Sequence, residues 1–199
     1  MEPIHRQTFE ITAHHTDCFG RAKASVLLHF AQEAAGQHCL VLGTDWDALS
    51  KQHLFWAVIR QRMQITRLPV LGERLTVETW PMPTTRSAFP RSTVAYDENG
   101  REVFRAVSLW VLMDTRTRAM ILPAKSGIVV EGALRGTELA APGSIAPRTL
   151  HNAQSRSVCF TDLDRNGHMN NARYLDWIDD LLPSAYHKDH PVQELRFAI

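Results

Sequence analysis

The spacing of apolar residues divides the chain into two stretches with the same order of elements. Residues 7–13 alternate between apolar and polar side chains, which predicts a strand. Over 23–42 the apolar residues recur at three- and four-residue intervals, which predicts a long helix that ends near Gly43. Four β-rich runs follow, and 120–123 closes this sheet; the runs are 55–66, 74–80, 86–96 and 101–112.

The second stretch begins at about Ser155 and is shorter. It predicts a strand at 156–160, a polar loop, a helix at 171–182 and a final strand at 193–199. Between the two stretches, 125–150 is rich in Gly, Pro and Ala, which is typical of a linker. We therefore predict three regions, at 1–124, 125–154 and 155–199.

The two stretches align as an internal repeat. Setting Gly20 on Gly167 pairs Leu27 with Tyr174 and Leu28 with Leu175, and it places Arg21 where the second copy has His168. Each unit is expected to be an antiparallel sheet wrapped around a central helix, with two copies joined edge to edge. The sequence thus predicts an α+β fold in which one copy keeps a reactive loop.

The polar loop of the second copy concentrates side chains that can hold or move a proton. Asp164, Asn166 and His168 are two residues apart, so an extended loop would turn all three to one side. Asn170 or Asn171 is a good N-cap for the helix that follows, whose free N–H groups favour negative charge. Such a loop can polarise a carbonyl and activate water. The alternative is a loop that only makes turns and caps the helix.

Composition narrows the classes of function. A net charge of +1, without a basic tail or a zinc-ligand pattern, gives no support to nucleic-acid binding. The three cysteines (Cys18, Cys39 and Cys159) are widely spaced, which favours a reducing compartment. No signal peptide and no apolar run of membrane-spanning length are visible, so we predict a cytoplasmic protein. The ten histidines lack metal-ligand spacing, so neither a metal nor a cofactor is predicted.

Three ordered motifs resemble a known family. They are Asp164-x-Asn166-x-His168-x-Asn170-Asn171-x-x-Tyr174 with Trp177 behind it, the run from Trp56 through Arg60, Arg62 and Arg67 to Trp80, and the run from Ala106 through Trp110 to Arg116. These motifs resemble the acyl-ACP thioesterases of plant plastids and bacteria. The resemblance implies a tandem (double) hot-dog fold and hydrolysis of fatty acyl thioesters on acyl carrier protein during fatty acid biosynthesis.

The resemblance also implies roles for residues. Asp164, Asn166 and His168 match the family's catalytic residues, and the choice of base between Asp164 and His168 stays open. The oxyanion would be held by backbone N–H groups near the helix N-terminus, at Gly167, Met169 and Asn170. Candidates for the acyl-chain slot, each equally explained as ordinary core, are Leu27, Leu28, Phe30, Phe55 and Trp56.

Carrier protein is acidic, which directs attention to the arginines. Residues 55–91 hold six arginines and two glutamates, and Arg60, Arg62 and Arg67 are the candidates for carrier docking. A merely solvated strand face is the alternative. Two other functions stay open, a hot-dog thioesterase that uses coenzyme A esters and a non-catalytic acyl binder.

The family's downstream acidic residue would fall beyond Ile199. We therefore expect an incomplete second copy, and a helix with much apolar surface to cover. Such surface and an open sheet edge favour self-association, so we expect the chain either to self-associate, with a homodimer as the candidate assembly, or to be far less stable than a longer form.

Overall fold

The structure is a computed structural model that describes residues 4–146, 149, 151 and 153–198. The predicted elements of the first half appear in the predicted order. In chain order the α-helices and β-strands are β1 (His5–Glu10), α1 (Ala24–Leu42), α2 (Trp46–Ser50), β2 (Leu54–Ile65), β3 (Arg74–Pro81), β4 (Phe89–Tyr96), β5 (Glu102–Asp114), β6 (Met120–Ile121), α3 (Pro123–Ser126), α4 (Arg173–Asp179), α5 (Ser184–Asp189) and β7 (Glu194–Ala198).

The described strands form one antiparallel sheet in the order β1-β3-β4-β5-β2-β7, with β6 paired to the end of β5. Helix α1 packs against one face of this sheet. Leu27 and Leu28 of the helix are buried against Val77 and Phe104 of the strands. Because successive strand residues alternate between faces, Glu78, Trp80 and Arg105 lie on the opposite face, here called the outer face.

The second half shares the sheet and the core of the first. β7 pairs with β2, so that Leu195 lies opposite Met63 and Phe197 opposite Gln61. Ala172 and Leu175, at the start of α4, are buried in the same apolar cluster as α1. The two copies therefore join edge to edge, as the repeat predicts.

Two predicted elements of the second half are corrected. Residues 156–160 do not form a strand, because no other described strand pairs with them, and the chain instead makes a 3-10 turn at Phe160–Asp162. The helix predicted at 171–182 is limited to Arg173–Asp179. Pro183 disfavours helical backbone at the residue before it, and the chain restarts as α5.

The predicted linker lies on the outer face of the sheet. Residues 127–146, here the crossover segment, have no regular secondary structure. Arg105 donates to the Thr137 carbonyl at 2.7 Å, Arg135 pairs with Glu78 at 3.1 Å, and the Trp80 indole donates to Glu138 at 3.3 Å. The segment is therefore fastened to β3 and β5 by specific contacts.

No described helix is both long and apolar enough to cross a membrane. Likewise, in the described part of the chain no three His, Cys, Asp or Glu side chains are grouped as metal ligands.

Candidate active site

The Asp164 loop (residues 161–171) is a tight turn and not the extended loop that the alternation predicted. The Asp164 N–H donates to the His168 carbonyl at 2.7 Å, and the Asn170 N–H donates to the Asp162 carbonyl at 2.8 Å. Gly167 closes the turn with a φ of 73°, a conformation that glycine adopts without strain. The turn fixes the backbone to which the three polar side chains are attached.

The Asp164 carboxylate organises this turn. Its Oδ1 accepts the N–H of Asn166 at 2.8 Å and the N–H of His168 at 3.2 Å. One carboxylate oxygen, Oδ1, thus has the turn-making role that was the alternative interpretation of this loop. The side chain is only partly buried and lines the cavity described below, so the carboxylate is also placed where chemistry can use it.

The first copy repeats this geometry, which confirms the duplication. In the Asp17 loop (residues 13–23), the Asp17 N–H donates to the Arg21 carbonyl at 2.7 Å and Asp17 Oδ1 accepts the Phe19 N–H at 2.8 Å. Gly20 has a φ of 75°. The backbone is the same in both copies, and the difference lies in the side chains, Arg21 in one and His168 in the other.

The buried Asp162 side chain stabilises the Asp164 loop through hydrogen bonds. It is only 4% exposed, and it accepts the Cys159 N–H at 2.9 Å and the Arg173 guanidinium at 3.2 Å. These hydrogen bonds hold the pKa of the Asp162 carboxyl below its ordinary value. Asp162 thereby ties the 3-10 turn to the first residue of α4.

The start of α4 differs from the predicted cap. Ala172 is the N-cap residue, and the Asn170 side chain accepts the Ala172 N–H at 2.9 Å. The N–H groups of Gly167 and Asn170 donate to the carbonyls of Asp164 and Asp162, so these two predicted oxyanion donors are already engaged. Of the three, only the Met169 N–H makes no hydrogen bond among the residues that the structure describes.

Residues of the first half meet the Asp164 loop. The Trp46 indole N–H donates to Asn166 Oδ1 at 3.2 Å, and Gln32 donates to Asn171 Oδ1 at 2.5 Å. Arg165 lies over the Trp46 ring, 3.8 Å from its centroid. Because an indole N–H is only a donor, the Trp46 contact directs the Asn166 NH₂ away from the tryptophan.

His168 contacts the first half through Arg118 and Phe55. The Arg118 Nη1 is 3.0 Å from His168 Nε2, and the Phe55 ring centroid is 6.0 Å from that of His168. His168 itself is exposed. The site is therefore built at the junction of the two halves.

A cavity of about 560 Å³ opens beside these groups. Its lining includes the three polar residues of the Asp164 loop together with Phe55 and Trp56, as predicted. The other three slot candidates, Leu27, Leu28 and Phe30, belong to the buried core and do not line the cavity. The reason is helical phase: α1 turns those positions to the sheet, while Gln32, Gly36, Cys39 and Leu40 face the cavity.

One wall of the cavity carries a buried cation. Arg91 is 7% exposed and contacts His38 Nδ1 at 3.1 Å and Thr79 Oγ1 at 3.3 Å. Burial lowers the pKa of this guanidinium. Phe89 and Trp110 lie beside it on the same wall, so the apolar part of the cavity ends at a polar group.

The predicted docking arginines have other partners. Arg62 pairs with Glu194 at 2.9 Å, and Arg67 pairs with Glu73 at 2.7 Å and with Asp97 at 3.0 Å. The hydrogen bond that Arg67 donates to the Glu73 carboxylate raises the pKa of Arg67. Arg67 follows the far end of β2, and that end, Ile65, lies roughly 33 Å along the strand from Phe55 at the site. Arg60 makes no ion pair within the described part of the chain.

Among the residues that touch the Asp164 loop, sequence reasoning missed Gln32, Trp46 and Arg118. Each is separated from its partner by 50 or more positions: 50 for Arg118 and His168, 120 for Trp46 and Asn166, and 139 for Gln32 and Asn171. Local pattern carries no information about contacts of that range, so only the folded chain shows them.

The fold and the two loops together define a tandem hot-dog protein. Its second copy keeps the polar Asp164 loop, and its first copy has an altered version, the Asp17 loop. The family model described as the acyl-ACP thioesterase N-terminal domain matches residues 2–124, and that of the C-terminal domain matches residues 146–198. The chain belongs to the acyl-ACP thioesterase family. The predicted boundaries of the three regions stay predictions.

Individual curated relatives support the same family assignment. The chain is 27% identical over 207 aligned positions to a chloroplastic palmitoyl-acyl carrier protein thioesterase of Gossypium hirsutum, covering 96% of this chain and 50% of that protein. The chain spans about half the length of the curated relatives it matches.

Solved structures share the fold. An acyl-ACP thioesterase from Bacteroides thetaiotaomicron has a TM-score of 0.85 at 23% identity, over 98% of this chain and 80% of that one. A DHNA-CoA thioesterase from Staphylococcus aureus has a TM-score of 0.56 at 16% identity, over 60% of this chain and 80% of that one.

Proposed function

We propose that the protein hydrolyses fatty acyl thioesters of acyl carrier protein in fatty acid biosynthesis. The observation that carries this proposal is the Asp164 loop, whose carboxylate, amide and imidazole line one largely apolar cavity. An acyl chain fits such a cavity, and the polar groups meet its thioester end. Membership in the family supports the choice of an acyl-carrier substrate.

The reaction needs a water, a proton acceptor and donors to the carbonyl oxygen. The water oxygen bonds to the thioester carbon and its proton passes to Asp164 or His168. The C–S bond then breaks, and the carrier thiolate leaves and takes up a proton. The Asn166 NH₂, held in orientation by Trp46, donates to the carbonyl oxygen or to the water.

The decisive experiment compares turnover of the purified chain on acyl-ACP of several chain lengths with that of His168→Ala. We expect fatty acid release by the wild type and loss of release in a folded variant. A wild type that binds acyl-ACP without turnover would instead support the non-catalytic binder, and equal turnover by His168→Ala would remove that residue from the mechanism.

Coenzyme A esters are the second candidate substrate, because solved CoA thioesterases share the fold over about three fifths of the chain. The discriminating quantity is kcat/KM for the same acyl group on the two carriers. Arg60→Glu sharpens this comparison, because Arg60 has no ion pair to lose within the described residues. If carrier docks there, KM rises for acyl-ACP and not for acyl-CoA.

Location and oligomeric state belong to the same proposal. The curated relative named above is chloroplastic, so a cytoplasmic location stays a prediction, which fluorescence of a tagged chain in its own cell would test. A homodimer stays a prediction as well. The exposed apolar side chains Ile178 and Leu181 after the site support it, and sedimentation equilibrium measures it.

A further inference from the structure

The turn between β5 and β6 holds Arg118 in an unusual backbone conformation. Arg118 has a φ of 58°, in the left-handed region that residues other than glycine rarely adopt. Asp114 Oδ1 accepts the N–H groups of Arg116 and Thr117, each at 2.8 Å, and the Arg118 N–H donates to the Asp114 carbonyl at 3.0 Å. These three hydrogen bonds to Asp114 thus maintain a strained residue, which is a common feature of functional sites.

The Arg118 side chain is directed to the site by two contacts. Its guanidinium carbon lies 5.5 Å from the centroid of the Phe55 ring, and its Nη1 lies 3.0 Å from His168 Nε2. Arg118 makes no ion pair with a carboxylate among the described residues. Among the described residues, the His168 imidazole is therefore the only side chain that accepts a hydrogen bond from Arg118.

A guanidinium has donors and no acceptor. Because Arg118 occupies Nε2, that nitrogen supplies the lone pair, and the imidazole carries its proton on Nδ1. The partner of one ring nitrogen sets the tautomer of the other in this way.

We propose that Arg118 is a positioning residue that holds His168 in the neutral, Nδ1-protonated form, so that His168 acts as a hydrogen-bond donor and Asp164 receives the proton of the attacking water. The proposal rests on the proposed thioesterase function. Asp164 Oδ1 is engaged by two backbone N–H groups, and the second carboxylate oxygen is left for this proton. The bonds formed and broken are those already given for hydrolysis.

The first test separates binding from chemistry with Arg118→Ala, Arg118→Lys and Arg116→Ala. Arg116 is the matched control, an exposed arginine of the same turn whose nearest carboxylate contact is 4.0 Å. We expect Arg118→Ala to lower kcat roughly 100-fold with KM for acyl-ACP unchanged, the lysine variant to recover part of kcat, and Arg116→Ala to match the wild type. An effect on KM alone would make Arg118 a docking residue and overturn the proposal.

The second test is spectroscopic and does not depend on turnover. Imidazole ¹⁵N shifts, assigned by the signal lost in His168→Ala, report which nitrogen of His168 is protonated. We expect the Nδ1–H form in the wild type and a mixture in Arg118→Ala, with added guanidinium at sub-denaturing concentration restoring the first form and matched sodium chloride not doing so. An unchanged tautomer in Arg118→Ala would overturn the proposal, whereas absent wild-type turnover with a shifted tautomer would count against the thioesterase function alone.

Discussion

At the residue scale, the Asp164 side chain both stabilises the turn at the site and supplies a carboxylate for the proposed chemistry. Asp164 Oδ1 closes a turn that Asp17 closes identically in the other copy, where no histidine follows. Structural need therefore explains an aspartate at both positions. The proposed chemical role applies only to the copy that also has Asn166 and His168 beside a cavity.

Asp164→Asn separates these two roles. The amide oxygen can still accept the N–H groups of Asn166 and His168, so the free energy of unfolding should change by no more than about 0.5 kcal/mol. The charge is lost, so kcat should fall by roughly 100-fold or more. Asp17→Asn is the control, because it makes the same change in the Asp17 loop. Equal activity of Asp164→Asn and wild type would show that the carboxylate has no part in proton transfer.

At the element scale, polar side chains fix the turns and the crossover segment. The Asn99-Gly100 turn joins β4 to β5. Asp97 accepts the N–H groups of Asn99 at 3.0 Å and of Arg101 at 2.9 Å, together with the guanidinium of Arg67 at 3.0 Å. The hydrogen bond from the Arg101 N–H has the largest effect among the contacts that lower the pKa of Asp97 to about 2.

A pH dependence of stability follows from Asp97. Because its folded-state pKa lies below the ordinary value of 3.8, its charged form stabilises the fold above about pH 3.8, and this contribution is lost as the pH falls toward 2. We expect Asp97→Asn to lower the free energy of unfolding at pH 6 and to approach the wild type near pH 2. Urea denaturation across this range measures the difference. Glu98→Gln, at an exposed neighbour, is the control, and a gap that is constant with pH would contradict the assignment.

The crossover segment makes a second prediction at this scale. A Cβ built on Gly132 would lie 2.1 Å from the Met82 carbonyl oxygen, whereas one on Gly143 of the same segment would meet nothing within 4 Å. We expect Gly132→Ala to destabilise the protein by about 1–3 kcal/mol, because backbone must move to relieve the overlap. Gly143→Ala should match the wild type in thermal denaturation. Equal melting of the two variants would show that the segment is not fastened at Gly132.

At the scale of the whole molecule, the altered copy of the loop connects the halves. Arg21, which replaces histidine, donates to the His187 carbonyl at 2.8 Å and to the Lys188 carbonyl at 3.2 Å, at the end of α5. It also pairs with Asp17 at 3.2 Å. The Asp164 loop thus lines the cavity, and the Asp17 loop connects the second half to the first through Arg21.

Removal of this connection should loosen the second half. We expect Arg21→Ala to lower the free energy of unfolding by about 1–3 kcal/mol, because two carbonyls lose a charged donor, and to speed proteolysis within 180–190. Lys23→Ala is the matched control, since Lys23 is an exposed cation of the same loop without an ion pair among the described residues. Unchanged proteolysis in Arg21→Ala would show that α5 is held by other contacts.

The sequence by itself determined the elements of the first half, the repeat and the location of the polar loop. Apolar spacing within α1 and alternation within β2 to β5 are local, and so is the Asn99-Gly100 turn, so the residues that decide them are neighbours in the chain. The family motifs are local as well, and Gly20 and Gly167 mark the two copies of one turn.

Only the tertiary structure decided which groups surround that loop. Arg118, Trp46 and Gln32 reach it from the first half, and the phase of α1 assigns Leu27, Leu28 and Phe30 to the core rather than to the cavity. The extended loop, the strand at 156–160 and the full length of the second helix were wrong for a related reason. Strand pairing and side-chain packing join residues that are far apart in sequence, and backbone hydrogen bonds can close a turn where local alternation predicts an extended chain. The free energies of these contacts are determined only when the whole chain is folded.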